Sequence, residues 1–204
     1  MKQGIPFIIA APSGGGKTSL VDALVKHVEN LIVSISYTTR TMRPGEKDGV
    51  NYHFVSQTQF ENLIAERAFL EYAKVFEHYY GTNRYWVEEK LEQGLDVILE
   101  IDWQGARQIR AQLEDAVSIF ILPPSLEVLH SRLETRGQDK PETIEKRMKA
   151  AQNEIRQYET FDYLIVNDDF DQALNDLTMI IYAEHLRRAR QTQKLAKLIT
   201  NLLQ

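Results

Sequence analysis

The run Ala11-Pro12-Ser13-Gly14-Gly15-Gly16-Lys17-Thr18 constrains this chain more than any other feature. An apolar stretch, Pro6–Ala10, leads into it, and a helix-like segment over 17–29 follows it. Strand, glycine-rich loop, Lys-Thr and helix together are the setting of a phosphate-binding loop. Glycines let backbone N–H groups curl round a polyphosphate without Cβ clashes. The helix start adds unpaired donors and a positive dipole end. Lys17 then reaches the outer phosphates, and Thr18 offers a hydroxyl to a magnesium ion. The pattern usually opens on glycine, and here Ala11 stands there. Gly14, Gly16, Lys17 and Thr18 still carry the contacts that matter.

A loop of this kind needs a sheet to hold it, and the chain supplies one. Short apolar segments at 6–10, 32–36, 97–102, 117–122 and 163–166 alternate with helical stretches near 87–93, 106–113, 126–133 and 144–158. Such alternation implies a mostly parallel sheet covered on both faces. The expected class is α/β: a three-layer P-loop sandwich with a small inserted β-rich subdomain and a lid. The core takes residues 1–35 and 85–204, and the insertion takes 36–84. In the insertion, 43–49 is a charged turn, 52–55 a strand, and 69–76 with 78–81 a β pair. Ser56 and Gln59 form a capping box for a helix carrying Phe60, Leu63 and Ile64. The lid is the polar loop and helix start at about 136–147.

At 204 residues, 43% hydrophobic and 26% charged, the chain is long enough for one full core. A net charge of −5 argues against a general nucleic-acid surface. Any phosphate site is therefore locally basic. With no cysteine, disulfides, thiolate metal sites and a cysteine nucleophile are excluded, and the cytoplasm is the expected compartment. The apolar run at the N-terminus is too short, and too closely tied to the loop, for a signal peptide. No segment has the length of a membrane span. The five histidines form no metal set, and Trp86 and Trp103 read as packing residues.

Arg40 and Arg43 bracket a turn after the second strand, where two guanidinium forks suit a second phosphate as well as they suit solvent. Their surroundings decide between these. Ser36-Tyr37-Thr38-Thr39-Arg40-Thr41-Met42-Arg43-Pro44-Gly45-Glu46 and then Gly49-Val50-Asn51-Tyr52-His53-Phe54 resemble the GMP-binding segment of guanylate kinases. Phe69-Leu70-Glu71-Tyr72-Ala73, Tyr79-Tyr80-Gly81-Thr82 and Leu99-Glu100-Ile101-Asp102-Trp103-Gln104-Gly105 fit the same family, in its order. Arg132-Leu133-Glu134-Thr135-Arg136-Gly137 and Val166-Asn167-Asp168-Asp169 fit as well. The resemblance spans about residues 4–184.

That resemblance implies roles. Ala11 to Thr18, Arg132, Arg136 and Asn167 would bind ATP, with Asn167 near the adenine. Arg40, Arg43, Tyr52 and Tyr80 would hold the GMP phosphate. Ser36, Glu71, Thr82 and Asp102 would surround the guanine. Thr18 and Glu100 would serve the magnesium ion, and Lys17, Arg43, Arg136 and Arg147 would act on the transferred group. Chemistry supports Glu71 independently. Guanine presents N1–H and its exocyclic amine as adjacent donors, and one carboxylate accepts both. Adenine has an acceptor at N1 and no 2-amino group. Sites built on such pairs discriminate on the order of 10⁴-fold. Ser36 and Thr82 are placed to donate to guanine O6.

The implied activity is transfer of the γ-phosphoryl group of ATP to GMP, with dGMP a further acceptor. The rival reading is a catalytically inactive guanylate-kinase-like interaction module, which would be expected to lack the loop or the acceptor clamp. Residues 185–204 remain outside the motifs. They hold Arg187, Arg188, Arg190, Lys194 and Lys197, no acid, and an apolar stripe of Leu195, Leu198, Ile199 and Leu202. A helical extension, exposed or packed on its own chain, is the first reading. Contact between copies in a homo-oligomer is the second, and a membrane surface is the third.

Overall fold

A computed structural model of the chain describes residues 3–75, 77–135 and 141–204. In chain order the elements are β1 (Pro6–Ala10), α1 (Lys17–His27), β2 (Leu31–Val33), β3 (Tyr37–Thr38), β4 (His53–Phe54), α2 (Gln57–Ala65), β5 (Phe69–Val75), β6 (His78–Asn83) and α3 (Arg84–Glu92). Then follow β7 (Asp96–Glu100), α4 (Trp103–Arg110), β8 (Val117–Leu122), α5 (Leu126–Thr135), α6 (Pro141–Ile155), a 3-10 turn (Tyr158–Thr160), β9 (Tyr163–Val166), α7 (Phe170–His185), α8 (Arg188–Lys194) and α9 (Ala196–Leu202).

The central strands are buried along nearly their whole length and mostly apolar, so they need cover on both faces. They find it in a parallel sheet of order β2-β7-β1-β8-β9. Strand alternation sends Phe7, Ile9, Ile98 and Ile119 to one face, where Leu20, Leu24, Leu177 and Ile181 from α1 and α7 meet them. Ile8, Val97 and Leu99 face the other way, onto Val87, Leu91, Ala106 and Ile109 from α3 and α4. The result is three layers. From β1 the chain crosses to β2 on one side, and from β7 it returns to β8 on the other. The crevice where the direction of crossing reverses lies at the carboxyl ends of β1 and β7, the place where open sheets of this kind bind ligands.

The residues between β2 and α3 form a second sheet of order β4-β3-β6-β5. β5 and β6 pair antiparallel, as do β3 and β6, whereas β3 and β4 run parallel. The expected capping box is present: Gln59 N–H donates to Ser56 Oγ, and Ser56 N–H donates to Gln59 Oε1. It starts α2, whose fully buried Phe60 stacks on Phe69 at 4.6 Å and on Tyr79 at 5.4 Å between ring centroids. A side chain at Gly81 would strike both Phe60 and Phe69 at 3.0 Å, so this aromatic stack requires glycine there. Helix α4 holds the small sheet to the large one. Gln108 exchanges hydrogen bonds with the backbone of Tyr72, and Gln112 Nε2 donates to Leu70 O at 2.6 Å.

The expected boundaries shift in places. β2 is three residues long and ends at Val33 rather than at 36. The expected strand end at 76 lies outside the described residues, as do 136–140 of the expected lid. α7 packs on α1, and the C-terminal tail after it is two short helices, α8 and α9. Arg190 of α8 donates to Asp115 O at 3.2 Å, while Leu186, Leu195, Leu198, Ile199, Leu202 and Leu203 are exposed. His185 Nε2 lies 2.5 Å from Asp96 Oδ2, and Asp96 Oδ1 accepts from Ile5 N–H, which ties the end of α7 to the sheet. No helix among the described residues is long and apolar enough to cross a membrane.

Phe60→Ala removes the ring on which the small sheet is stacked. A loss of about 3–4 kcal/mol in unfolding free energy is expected, measured by urea denaturation. Affinity for a ligand held by the small sheet should fall more than affinity for a ligand of the loop after β1, because that loop sits on the other sheet.

Candidate active site

The loop after β1 keeps the conformation its glycines allow. Gly14 and Gly16 have φ of 91° and 88°, the left-handed region that side chains rarely adopt. Gly16 is the N-cap of α1 and supplies no side-chain cap. Among the described residues, the N–H groups of Gly14, Gly16, Lys17 and Thr18 have no hydrogen-bond partner. Gly15 N–H is turned inward to Pro12 O at 2.8 Å. Sequence reading puts Asn167 near the adenine. The structure puts its amide beneath the loop, where Nδ2 donates to Gly15 O at 2.9 Å and would lie 2.2 Å from a Cβ at position 16. Asn167 O in turn accepts from Arg132 Nη2 at 3.0 Å. The other terminal nitrogen of Arg132 is buried without a partner, and Gly14, Gly16, Ser131 and Thr135 line the cavity beside it.

Across the crevice lies the acceptor pocket. Glu71 sits on β5 and is only 4% exposed. Thr82 Oγ1 donates to its Oε1 at 2.6 Å. That hydroxyl was expected to face guanine O6; here its one proton is given to Glu71, so it orients the carboxylate instead. Oε2 faces Gly105, where a Cβ would stand 2.7 Å away. Burial pushes the Glu71 carboxyl up to about 7, with the Thr82 hydrogen bond and Lys17 opposing. Asp102 caps α4, accepting from Gln104 and Gly105 N–H at 2.9 and 3.0 Å through one oxygen. Its second oxygen accepts from Gln104 Nε2 at 3.3 Å. Ser36 is half-buried and gives its carbonyl to His53 N–H.

Arg40 is held flat. Its guanidinium makes a two-pronged contact with Glu46 at 2.7 and 3.0 Å, donates to Thr41 O, and lies 5.4 Å from the Tyr52 ring centroid. The Glu46 hydrogen bond raises the Arg40 pKa, and the same bond holds the Glu46 carboxyl below its usual range. Glu46 also accepts from Arg43 N–H at 2.7 Å, so one carboxylate sets both the arginine and the turn. Tyr52 and Tyr80 meet edge to face at 5.9 Å. Arg43 is exposed at the turn. Sequence reading gave Glu46 no role. Its signal was its place three residues after Arg43 in a Pro-Gly turn.

Lys17 lies among acids. Its charge favours the ionised forms of Glu71, Glu100 and Glu154, against the burial that disfavours them. Glu100, at the end of β7, is pushed up by burial, and its Oε1 is buried with no partner. A buried carboxylate oxygen without a donor is suited to a cation, and Thr18 lies in the first turn of α1, next to the Lys17 whose charge acts on Glu100. These residues fit a magnesium ion, which takes few protein ligands and several from water and phosphate. Among the described residues no cluster of three or more candidate ligands forms, in keeping with that pattern. Glu154 was not foreseen. It lies on α6, its Oε2 accepts from Ser13 N–H at 3.2 Å, and burial pushes it up to about 7. Arg147 is half-buried on the same helix, and Arg136 lies outside the described residues.

Comparison with known proteins agrees with this geometry. The family model described as guanylate kinase matches residues 3–184. Among curated relatives, the guanylate kinase of Vibrio parahaemolyticus is 55% identical over 100% of this chain and 99% of its own. That of Legionella pneumophila is 54% identical over 98% of this chain and 96% of its own. Among solved structures, the crystal structure of guanylate kinase from Anaplasma phagocytophilum is similar with a TM-score of 0.79 and 35% identity, covering 93% of this chain and 90% of that one. A complete phosphate loop facing a buried carboxylate pocket, in a chain matched along almost all its length, leaves one conclusion: the chain belongs to the guanylate kinase family, as an enzyme of that family rather than an inactive counterpart.

Proposed function

We propose that this enzyme transfers the γ-phosphoryl group of ATP to GMP, and to dGMP, giving GDP or dGDP and ADP in the cytoplasm. The observation that carries this reading is geometric. A glycine-rich loop with four N–H groups left without partners among the described residues stands in one chain with a buried carboxylate, Glu71, whose Oε1 is fixed by the Thr82 hydroxyl at 2.6 Å. Glu71 accepts from guanine N1–H and the 2-amino group, held in place by Thr82. Ser36 donates to O6. Arg40, fixed by Glu46, receives the GMP phosphate together with Arg43 and the hydroxyls of Tyr52 and Tyr80. No side chain is assigned to the ribose 2′-hydroxyl, which is why dGMP is included.

The acceptor is an anionic phosphate oxygen, so the reaction needs no strong base. The GMP oxygen bonds to the γ-phosphorus while the bond from that phosphorus to the β-bridging oxygen breaks, and ADP leaves with the electron pair. Catalysis rests on alignment, charge neutralisation and exclusion of water. The free N–H groups of Gly14, Gly16, Lys17 and Thr18 hold the polyphosphate. Lys17, Arg136 and Arg147 spread charge on the transferred group, and Arg132 faces the loop. Thr18 and Glu100 would hold the magnesium ion, which supplies neutralisation of phosphate charge when bound. Asp102 borders the acceptor side.

The deciding experiment measures ADP release from ATP and magnesium with GMP, AMP, UMP or no acceptor. Turnover with GMP far above AMP is expected. Equal rates with AMP would sink the guanine assignment, and tight GMP binding without turnover would restore the interaction-module reading. Lys17→Ala should lower kcat about 100-fold or more without loss of the circular-dichroism spectrum.

Glu71 gives a test independent of turnover. Its carboxyl is ordinarily near 4.5 and is near 7 in the folded protein. The folded chain thus holds a proton there that the unfolded chain has lost. That contribution makes stability fall as pH rises from about 4.5 to about 7, and leaves it level above. Glu71→Gln removes the effect. Without nucleotide, the variant should be equal to wild type near pH 4.5 and more stable at pH 8 by about 3 kcal/mol, read from urea midpoints. Its kcat/KM for GMP should drop about 100-fold or more, since the amide cannot accept from both guanine donors.

The tail supports a homo-oligomer. It presents exposed Leu198, Leu202 and Leu203 on short helices with five cations and no acid, in a chain of net charge −5. Leu198→Asp with Leu202→Asp should reduce the mass seen by light scattering to that of a single chain. An unchanged mass would remove the tail from any interface.

A further inference from the structure

Glu154 stands apart from every role so far assigned. It lies 141 residues from Ser13 in sequence, yet its carboxylate accepts the Ser13 backbone N–H inside the phosphate loop. The loop's amides divide into two groups. Gly14, Gly16, Lys17 and Thr18 keep theirs open to a ligand, while Gly15 gives its N–H to Pro12 O and Ser13 gives its N–H to Glu154. Glu154 is therefore the one side chain, among the described residues, that holds the open face of the loop to another element.

That element is α6. Residues seven apart on a helix lie within about 20° of one another around the axis and about 10 Å apart along it. Arg147 and Glu154 stand in this relation, with fully buried Ala151 between them and buried Ile144 one turn before Arg147. The inward stripe of α6 thus carries an arginine at one level and the carboxylate that grips the loop two turns on. The same helix packs on α5, which supplies Arg132 to the loop's cavity.

We propose that Glu154 is a positioning residue for phosphoryl transfer, latching α6 to the phosphate loop and so fixing the height and rotation at which Arg147 meets the transferred group. The latch rests on the kinase reading above. It works through a hydrogen bond to a main-chain N–H, so what it needs is an acceptor of the right length. A glutamine retains that acceptor. An aspartate is one methylene short, and an alanine has none. An arginine displaced by about 1 Å from a reacting phosphoryl group loses up to about 100-fold in rate.

The test compares steady-state kinetics of the full-length wild type, Glu154→Gln, Glu154→Asp, Glu154→Ala, Arg147→Ala and the Arg147→Ala/Glu154→Ala double variant, with melting temperatures for each. Glu154→Ala should lower kcat about tenfold or more with the KM for GMP unchanged, and Glu154→Gln should recover most of the loss. Glu154→Asp should behave as Glu154→Ala, and it replaces that variant if alanine prevents folding. The double variant should be no slower than Arg147→Ala alone, because a latch whose arginine is gone has nothing left to place. Wild-type kcat in Glu154→Ala, equal impairment of Glu154→Gln and Glu154→Ala, or multiplied losses in the double variant would each overturn the latch. A wild type that makes no ADP with GMP overturns the kinase reading itself, which is a different result from an active wild type indifferent to position 154.

Discussion

Everything in this molecule is arranged around one unsatisfied stretch of backbone. The first turn of α1 starts on a left-handed glycine with no side-chain cap, and four successive or nearly successive N–H groups are left without partners. An uncapped helix start is normally a weakness of about 1 kcal/mol. Here it is held open by its surroundings. β1 is buried on both faces and cannot shift, and Asn167 braces the carbonyl of Gly15 from beneath. Arg132 steadies Asn167 from the side. The carbonyls of Pro12, Gly15 and Gly16 are bonded, to Gly15 N–H, Asn167 Nδ2 and Leu20 N–H, which leaves the donor side for an anion.

Charge balance follows from that opening. The crevice holds Glu71, Glu100, Asp102 and Glu154 around one lysine, and burial disfavours the ionised forms of three of them. Such a site looks wrong for a polyphosphate until the acids are separated by task. Glu71 answers the donors of a base, Glu100 has an oxygen facing no donor, and Glu154 and Asp102 hold backbone amides. Three of the acids are turned to partners of their own, and Glu100 alone of the four keeps a buried oxygen without one. The same division occurs at Arg40, where Glu46 occupies the guanidinium before any phosphate does and keeps it flat against Tyr52.

The two sheets meet along β5. Gln108 of α4 and Gln112 just beyond its end bind the backbone of β5, and Leu70 of β5 is buried in one apolar cluster with Ile8, Val97 and Leu99 of the large sheet. The capping carboxylate of α4, Asp102, adds its charge to the burial that disfavours ionisation of both Glu71 and Glu154.

How much of this could be read beforehand depended on the range of the interaction. The glycine-rich loop, the alternating strands and the Ser56–Gln59 cap were legible, since loop geometry, strand burial and capping depend on residues close in sequence, and the motifs carried the family. Glu46 and Glu154 were not legible, nor was the bracing role of Asn167. A carboxylate in a turn or a charged helix looks solvated in a sequence, and only the packing of α6 against a loop 141 residues away makes Glu154 an acceptor for Ser13. The tail shows the same limit: its apolar stripe was plain, but that α8 and α9 leave it exposed was decided in three dimensions. The sequence by itself determined which groups are available for chemistry. The tertiary structure decided which backbone donors stay open and which acid closes on which partner, because those choices rest on distances between segments that no local pattern encodes.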